Sequence, residues 1–331
     1  MQQTVYDKIL GILCSVLDAY STVLFLPGDG TLVSKDVYAV NSSFSLGDKI
    51  DFSSTISEGQ GLVGWILRNK EPLLVANFDQ RNNYLGYYSD HEEQSIKAFM
   101  GCSLQSGQGA LCVDSKRQYS FSEKDQKMLH LFAGLITSLQ VDLQKEEQQA
   151  TIFKYYTALR TIYALRHQHS RWGEFLRHFI DLMATVTGFT YCVFCTRDSH
   201  GDNYFIEGES TPLLLQSKAE PVSFPMSHGM VGWVFRNGRP LVNDIKEGTL
   251  DTPLVGRGAD IPQFQTVAAF PLIVQRKTRG VLCLAHHEST LIDTETKDFI
   301  RMAADHLALF LENLYVKCKL RDLHKSITVS Q

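Results

Sequence analysis

The chain repeats itself. Residues 61–73 read GLVGWILRNKEPL and residues 229–241 read GMVGWVFRNGRPL, aligned without a gap at a distance of 168 positions. Gly61/Gly229, Val63/Val231, Gly64/Gly232, Trp65/Trp233, Arg68/Arg236, Asn69/Asn237, Pro72/Pro240 and Leu73/Leu241 are identical. Solenoid units recur every ~20–50 residues, so a period this long is that of a duplicated domain. The 331 residues accommodate two domains, each large enough to bury its own core. The expected division is a first domain at 1–145, a helical linker at 146–168 and a second domain at 169–331.

Charge and cysteine usage narrow the classes of function. The net charge of −4 is spread along the chain without a basic run, which argues against nucleic acid as a partner. No apolar stretch approaches the ~20 residues that span a bilayer, so no membrane partner is expected. The N-terminal MQQTVYDKILGILCSVLDAY has no basic leader and reads as an amphipathic helix, not a signal peptide. The expected location is cytoplasmic. Seven cysteines, mostly in apolar runs, fit reduced buried thiols. The CxxC of Cys192 and Cys195 lies in the strand-like YCVFCT, where residues three apart point to opposite faces. It therefore reads as structural, and no metal site is expected.

The pattern along the chain is helix, strands, helix, strands, helix, twice over. Residues 4–18 carry one broad apolar helical face, and Ser21–Leu26 and Thr31–Val40 read as strands. In the repeated motif Gly61 and Gly64 flank a helix start, and Trp65 is expected to pack that helix onto the sheet, as is Trp233. Leu73–Ala76 follows as a strand. Residues 80–95 read as a loop with a short helix, then Ile96–Leu104 and Gly109–Val113 as a hairpin. From Ser122 to about Arg166 there is no proline, and apolar residues recur at spacings of three and four. Two readings compete there: one signalling helix of about 65 Å, or two helices with a break near 146–152. In the second half Glu174–Thr187 is helical, Phe189–Thr196 strand-like, Thr266–Val274 and Gly280–Ala285 a hairpin, and Ile292–Leu323 the closing helix. The class is α+β with antiparallel sheets.

G[LM]VGW[IV][LF]RN followed by proline and an apolar strand resembles the GAF domain family, and the ending GCSLQSGQGALCVDSKRQYSFSEKDQKMLHLFA is similar to that family's closing part. The resemblance implies a central antiparallel sheet of about six strands in each copy, with helices on one face forming a dimer or linker layer and a ligand pocket on the other. It also implies a choice of ligands. Cyclic-nucleotide-binding members carry N-K…F-x-x-x-D-E, whose Lys and Asp pair over the ligand. Lys116, Phe121 and Asp125 match that signature, while Ser115 and Gln126 do not. The second copy has Leu291 and Glu295 in the places of Phe121 and Asp125 and no such lysine. Bilin is disfavoured because no Cys-His dipeptide occurs, and haem because His91, His200 and His228 are isolated loop histidines. A methionine sulfoxide reductase branch would use cysteines such as Cys102 and Cys112, which read as core residues instead.

Two functions remain in competition. The first is a non-enzymatic small-molecule sensor, with a small anionic or nucleotide-like ligand expected chiefly in the first domain. Its candidate ligand-binding residues are Asn77, Asp79, Asn83, Tyr84, Lys116 and Asp125 in the first domain, and Asn243, Asp244, Arg257 and Gln265 in the second. Arg257 is suited to bidentate pairing with an anion. The second is a ligand-free interaction module. Either way the apolar stripes of the helices at 122–166 and 295–323 point to a homodimer, with a downstream signalling protein as the expected further partner.

Overall fold

The computed structural model describes residues 5–28, 37–47, 49–77, 84–169, 171–198, 200–214, 223–243, 252–256 and 262–329. Its contacts divide into two compact units, Met1–Glu147 and Gln148–Gln331.

The first unit runs α1 (Val5–Val16), β1 (Ser21–Pro27), β2 (Val37–Ser45), β3 (Thr55–Ser57), α2 (Gly61–Asn69), β4 (Leu73–Val75), α3 (Asp90–Glu93), β5 (Ala98–Ser103) and β6 (Ala110–Ser115). Its six strands form one antiparallel sheet in the order β3-β2-β1-β6-β5-β4. The expected strand at Thr31–Val40 becomes β2 from Val37 onwards, and residues 31–36 lie outside the described residues. One face of the sheet carries Leu24, Met100, Cys102 and Val113 against Leu10 and Leu13 of α1 and Leu129, Ala133 and Ile136 of the long helix α4 (Glu123–Gln168). The other face carries Phe25, Phe99 and Cys112 against Val63, Ile66 and Leu67 of α2 and Leu85, Tyr87 and Tyr88.

Helix α4 is continuous over 46 residues, so the reading with a break near 146–152 is set aside. Its start is fixed by a capping box. The Ser122 hydroxyl and backbone N–H both donate to Asp125 Oδ2, at 2.7 and 2.8 Å, and Asp125 N–H donates back to Ser122 Oγ. Its last turns belong to the second unit, where Ala158 and Ile162 are buried and Tyr155 stacks on Phe299 with ring centroids 4.5 Å apart.

The second unit runs α5 (Trp172–Thr187), β7 (Tyr191–Arg197), β8 (Asn203–Glu209), β9 (Ser223–Pro225), α6 (Gly229–Asn237), β10 (Leu241–Asn243), β11 (Thr266–Val274), β12 (Lys277–His286) and α7 (Thr294–Val329). The strand order is β10-β11-β12-β7-β8-β9, the first sheet's order read from the other edge. One irregularity is duplicated: the β1–β2 ladder shifts register after Leu24 and the β7–β8 ladder after Phe194, each after the fourth residue of its strand. Cys192 packs with the helix-covered face and Cys195 with the opposite one, as strand alternation requires.

Candidate functional site

The repeated motif is built for packing. Gly61 and Gly229 have φ of 64° and 73°, and a Cβ on either would meet the backbone of Tyr84 or Val255. That close approach lets the segment after the motif close the first turn of each helix. Leu62 N–H donates to Tyr84 O at 2.9 Å, and Met230 and Val231 N–H donate to Pro253 O and Leu254 O at 3.0 and 3.1 Å. Gly64 and Gly232 lie against the carbonyls of Ser57 and Met226, where a Cβ would come within 2.5 and 2.6 Å. Asn69 and Asn237 donate their side-chain amides to Trp65 O and Trp233 O, one turn back. The tryptophans themselves face outward. Trp65 and Trp233 are each 38% exposed, which corrects the expectation that they pack the helix onto the sheet. The buried residues of α2 are Val63, Gly64, Ile66 and Leu67, and at about 100° per residue position 65 falls on the opposite side.

In the first domain the described residues pack the face opposite α1 around two carboxylates. Asp114 on β6 is fully buried and accepts hydrogen bonds from Ser21 Oγ at 2.6 Å, Tyr87 Oη at 2.9 Å and Tyr88 Oη at 3.1 Å. Burial raises its pKa to about 6, against the opposing pull of those three donors. Beside it Glu92, 5% exposed, accepts from Lys116 at 2.6 Å, Lys49 at 2.8 Å and Tyr20 Oη at 2.9 Å. Those bonds, Lys116's first, lower the Glu92 pKa to about 2. Lys116 also sits 3.9 Å from the centroid of the Tyr20 ring. Glu93 accepts from Leu85 and Gly86 N–H, so Glu92 ties α3 to Tyr20, Lys49 and Lys116 while Glu93 fastens the preceding loop to α3.

The described ones among the expected site residues of this domain, Asn77, Tyr84, Lys116 and Asp125, make separate contacts. Lys116 pairs with Glu92 instead of Asp125, whose carboxylate is held by Ser122 in the α4 cap. Asn77 is exposed and accepts from Gln118, while Tyr84 offers its backbone carbonyl to α2 and leaves its ring half exposed. Asp79 and Asn83 lie outside the described residues. Sequence reasoning missed Glu92 and Asp114. An acidic residue ending the apolar run ALCVD was the available signal for Asp114.

The second domain replaces this arrangement. Tyr191 pairs with Ala285 where Ser21 pairs with Asp114, so the buried aspartate has no counterpart at that position. Glu209 supplies the carboxylate instead, accepting from Tyr191 Oη at 2.6 Å and from Leu214 N–H. Phe264 stacks on Tyr191 at 5.4 Å. Outside this core lies a cleft of about 460 Å³ lined by Met230, Trp233, Arg236, Val242, Asn243 and Thr252. Asn243 belongs to its lining, and the side-chain nitrogen of that residue is buried and has no hydrogen-bond partner among the described residues. Gln265 is exposed, its backbone N–H bonded to His286 O, and Asp244 and Arg257 lie outside the described residues.

The GAF domain family matches residues 2–138 and again residues 170–312. The chain belongs to the GAF domain family and holds two copies. GAF domains are in the main sensory or ligand-binding regulatory modules. Comparison with curated protein sequences gave no match. Among solved structures, the GAF domain of a Coxiella burnetii phosphoenolpyruvate-protein phosphotransferase is 15% identical, with 51% of this chain and 98% of that chain covered and a TM-score of 0.45. Free methionine-R-sulfoxide reductase from Neisseria meningitidis, solved with its substrate, is 17% identical with 48% and 88% covered and a TM-score of 0.41. The GAF-B domain of DevS from Mycobacterium smegmatis is 15% identical with 44% and 95% covered and a TM-score of 0.35.

Six cysteines of the tandem GAF protein, Cys14, Cys102, Cys112, Cys192, Cys195 and Cys283, are buried. Burial pushes the Cys102 thiol to about 12 and holds Cys112, Cys192 and Cys195 well above the usual thiol range. A nucleophilic cysteine needs the opposite shift. Among the described residues no group of three or more His, Cys, Asp and Glu side chains is arranged to hold a metal ion, and no helix is long and apolar enough to cross a membrane.

Proposed function

We propose that this tandem GAF protein is a non-enzymatic regulatory module that takes a small acid in the Trp233 cleft of its second domain and passes the bound state to helices that dimerise. One observation carries the choice of site: the buried Asn243 amide lacks an acceptor. Leaving such a donor unsatisfied costs about 1–3 kcal/mol, and buried polar groups are almost always paired. A turn of the Asn243 side chain into the cleft lets a ligand oxygen supply that acceptor, Arg236 in the same lining meets the ligand's negative charge, and Trp233, Met230 and Val242 cover its apolar body. In the first domain, the favoured one on sequence grounds, Asp114 and Glu92 engage Ser21, Tyr87 and Tyr88, and Tyr20, Lys49 and Lys116, respectively. That supports a role for it in holding shape.

The dimer rests on spacing and exposure. Leu131 and Leu135 on α4 are exposed, and Ile152 and Tyr156, also exposed, follow them by 21 positions, which is three heptads. Met302, Leu309 and Val316 on α7 are exposed and follow one another at intervals of seven. A ligand that fits one helix arrangement better than another shifts the dimer between states. Native mass spectrometry of freshly purified protein, followed by denaturing spectra of the same sample, tests both halves. The expected result is a dimer carrying added mass that denaturation releases and that Asn243→Leu abolishes. A bare polypeptide mass for wild type and variant alike would discard the ligand, and a monomer would discard the dimer.

A further inference from the structure

A second cleft in the second domain has a different chemistry. It encloses about 490 Å³ and is lined by Arg197, Arg236, Arg276, Lys277 and Arg279, with His200 at its edge. Five permanent cations thus line one concavity, four of them its own and Arg236 shared with the Trp233 cleft, in a chain whose net charge is −4. Among the described residues, no carboxylate forms an ion pair with any of the five. Asp198 is the acidic residue of the lining, and its oxygens accept from the backbone N–H groups of Gly201 and Asn203 and turn the β7–β8 hairpin. The C-terminal end of α6 adds about half a negative charge, which offsets little of five.

The architecture gathers these side chains from three separate stretches. Arg197 ends β7, Arg236 lies in the last turn of α6, and Arg276, Lys277 and Arg279 form the β11–β12 hairpin. Gln275 and Arg276 make the two-residue turn with φ of 51° and 63°, a conformation that favours Asn or Gly. Side chains with a Cβ there cost roughly 1–2 kcal/mol each, so an arginine is held at the tip despite its backbone preference. The first domain is an internal comparison. Its corresponding hairpin is Gln105-Ser106-Gly107-Gln108, with glycine at positive φ and no charge, and Pro27 ends the strand where Arg197 ends β7. Arg68 persists as part of the shared motif, and Lys70, where the second copy has Gly238, brings one further ammonium beside Gly107. The cationic cleft is therefore an addition to the second copy and not a property of the duplicated fold.

We propose that this cleft binds a small polyphosphate, a ligand with two or more joined phosphoryl groups. Arginine forks match phosphoryl oxygens bidentately, and the volume lies within the ~300–1,000 Å³ of small-molecule sites. Of the rings in the lining, Phe235 is buried in the core, which leaves the exposed imidazole of His200 against five cations, so recognition falls chiefly on the phosphates. The site goes beyond the Trp233 cleft, with which it shares only Arg236 in its lining.

Calorimetric titration of the full chain at fixed ionic strength, with orthophosphate, pyrophosphate and tripolyphosphate as probes, tests it. Affinity is expected to rise in that order. Lys277→Gln with Arg279→Gln should weaken tripolyphosphate binding at least about tenfold. Arg276→Asn should weaken it too while fitting the positive-φ turn better than arginine, so loss of binding there is not loss of fold. Arg239→Gln, an exposed arginine outside the lining, should change nothing. Absence of tripolyphosphate binding, equal affinity in the hairpin variants, or equal loss in Arg239→Gln overturns the proposal. Loss on Asn243→Leu would move the anion to the other cleft and overturn it as well. A DNA duplex that binds tighter and is not displaced by tripolyphosphate would replace the small ligand with nucleic acid.

Discussion

Asp114 and Glu92 lie in one domain, and their surroundings push them in opposite directions. The folded pKa of Asp114, about 6, lies above the 3.8 of an ordinary aspartate, so the fold favours its neutral acid. Its contribution to stability is full below about pH 4 and is lost as the pH rises through about 6, an effect of order 2 kcal/mol. Glu92, lowered to about 2, has the reverse sign: its contribution is present above its ordinary 4.5 and is lost as the pH falls towards 2. Urea unfolding of wild type and Asp114→Asn at several pH values separates the two, because Glu92 is common to both. The stability difference should move by of order 2 kcal/mol in favour of the variant between about pH 4 and pH 8. Parallel curves would mean that Asp114 is charged or neutral throughout. The motif glycines make a second prediction. Gly61→Ala adds a Cβ at positive φ and within 2.3 Å of Tyr84 O, so it should destabilise by roughly 2–3 kcal/mol in thermal or urea unfolding. An alanine variant as stable as wild type would refute the packing role of the motif.

At the scale of elements, what was legible in the sequence was what local spacing encodes. Helices α1, α4 and α7 follow from apolar periodicity, and α2 and α6 from the duplicated glycines. The outward turn of Trp65 was also encoded, since the phase of Val63, Ile66 and Leu67 leaves position 65 on the far side. The tryptophan's size suggested burial and misled. Strands β3 and β9, three residues each in polar surroundings, carry too few alternations to be seen. The site was less legible because its parts meet only in space. Asp114 lies 93 positions from Ser21 and 27 from Tyr87, and the cationic cleft draws on residues 197 to 279. The continuity of α4 was left open because Gln144–Gln149 is polar on every side, and nothing apolar there marks helix or break. The cap was readable from Ser122 and Asp125. Ser122→Ala should cost about 1 kcal/mol of first-domain stability, measured as a shift in its denaturant midpoint. No shift would assign the start of α4 to packing alone.

For the whole molecule the question is whether the exposed stripes are strong enough to pair two chains. Fully burying an apolar side chain gains about 1.5–3 kcal/mol, and association costs about 4–15 kcal/mol before any gain appears. The four side chains on each α4, eight in a dimer, meet that cost with little to spare, since they are partly buried already and Ser138, Asp142, Lys145 and Gln149 occupy the heptad positions between the two pairs. Adding Met302, Leu309 and Val316 of α7 supplies the margin. The two stripes are therefore expected to act together, and weakening either should release the dimer. Leu135→Glu and Leu309→Glu place a charge in each stripe at a position already exposed in the single chain, so folding should be spared. Sedimentation over a dilution series should show a wild-type dimer, each single variant dissociating at least about tenfold more readily, and the double variant monomeric. If Leu135→Glu has no effect while Leu309→Glu dissociates the chain, α7 carries the contact alone and α4 only joins the domains. If the wild type is monomeric at every concentration, the stripes serve another partner and the helices do not report through self-association.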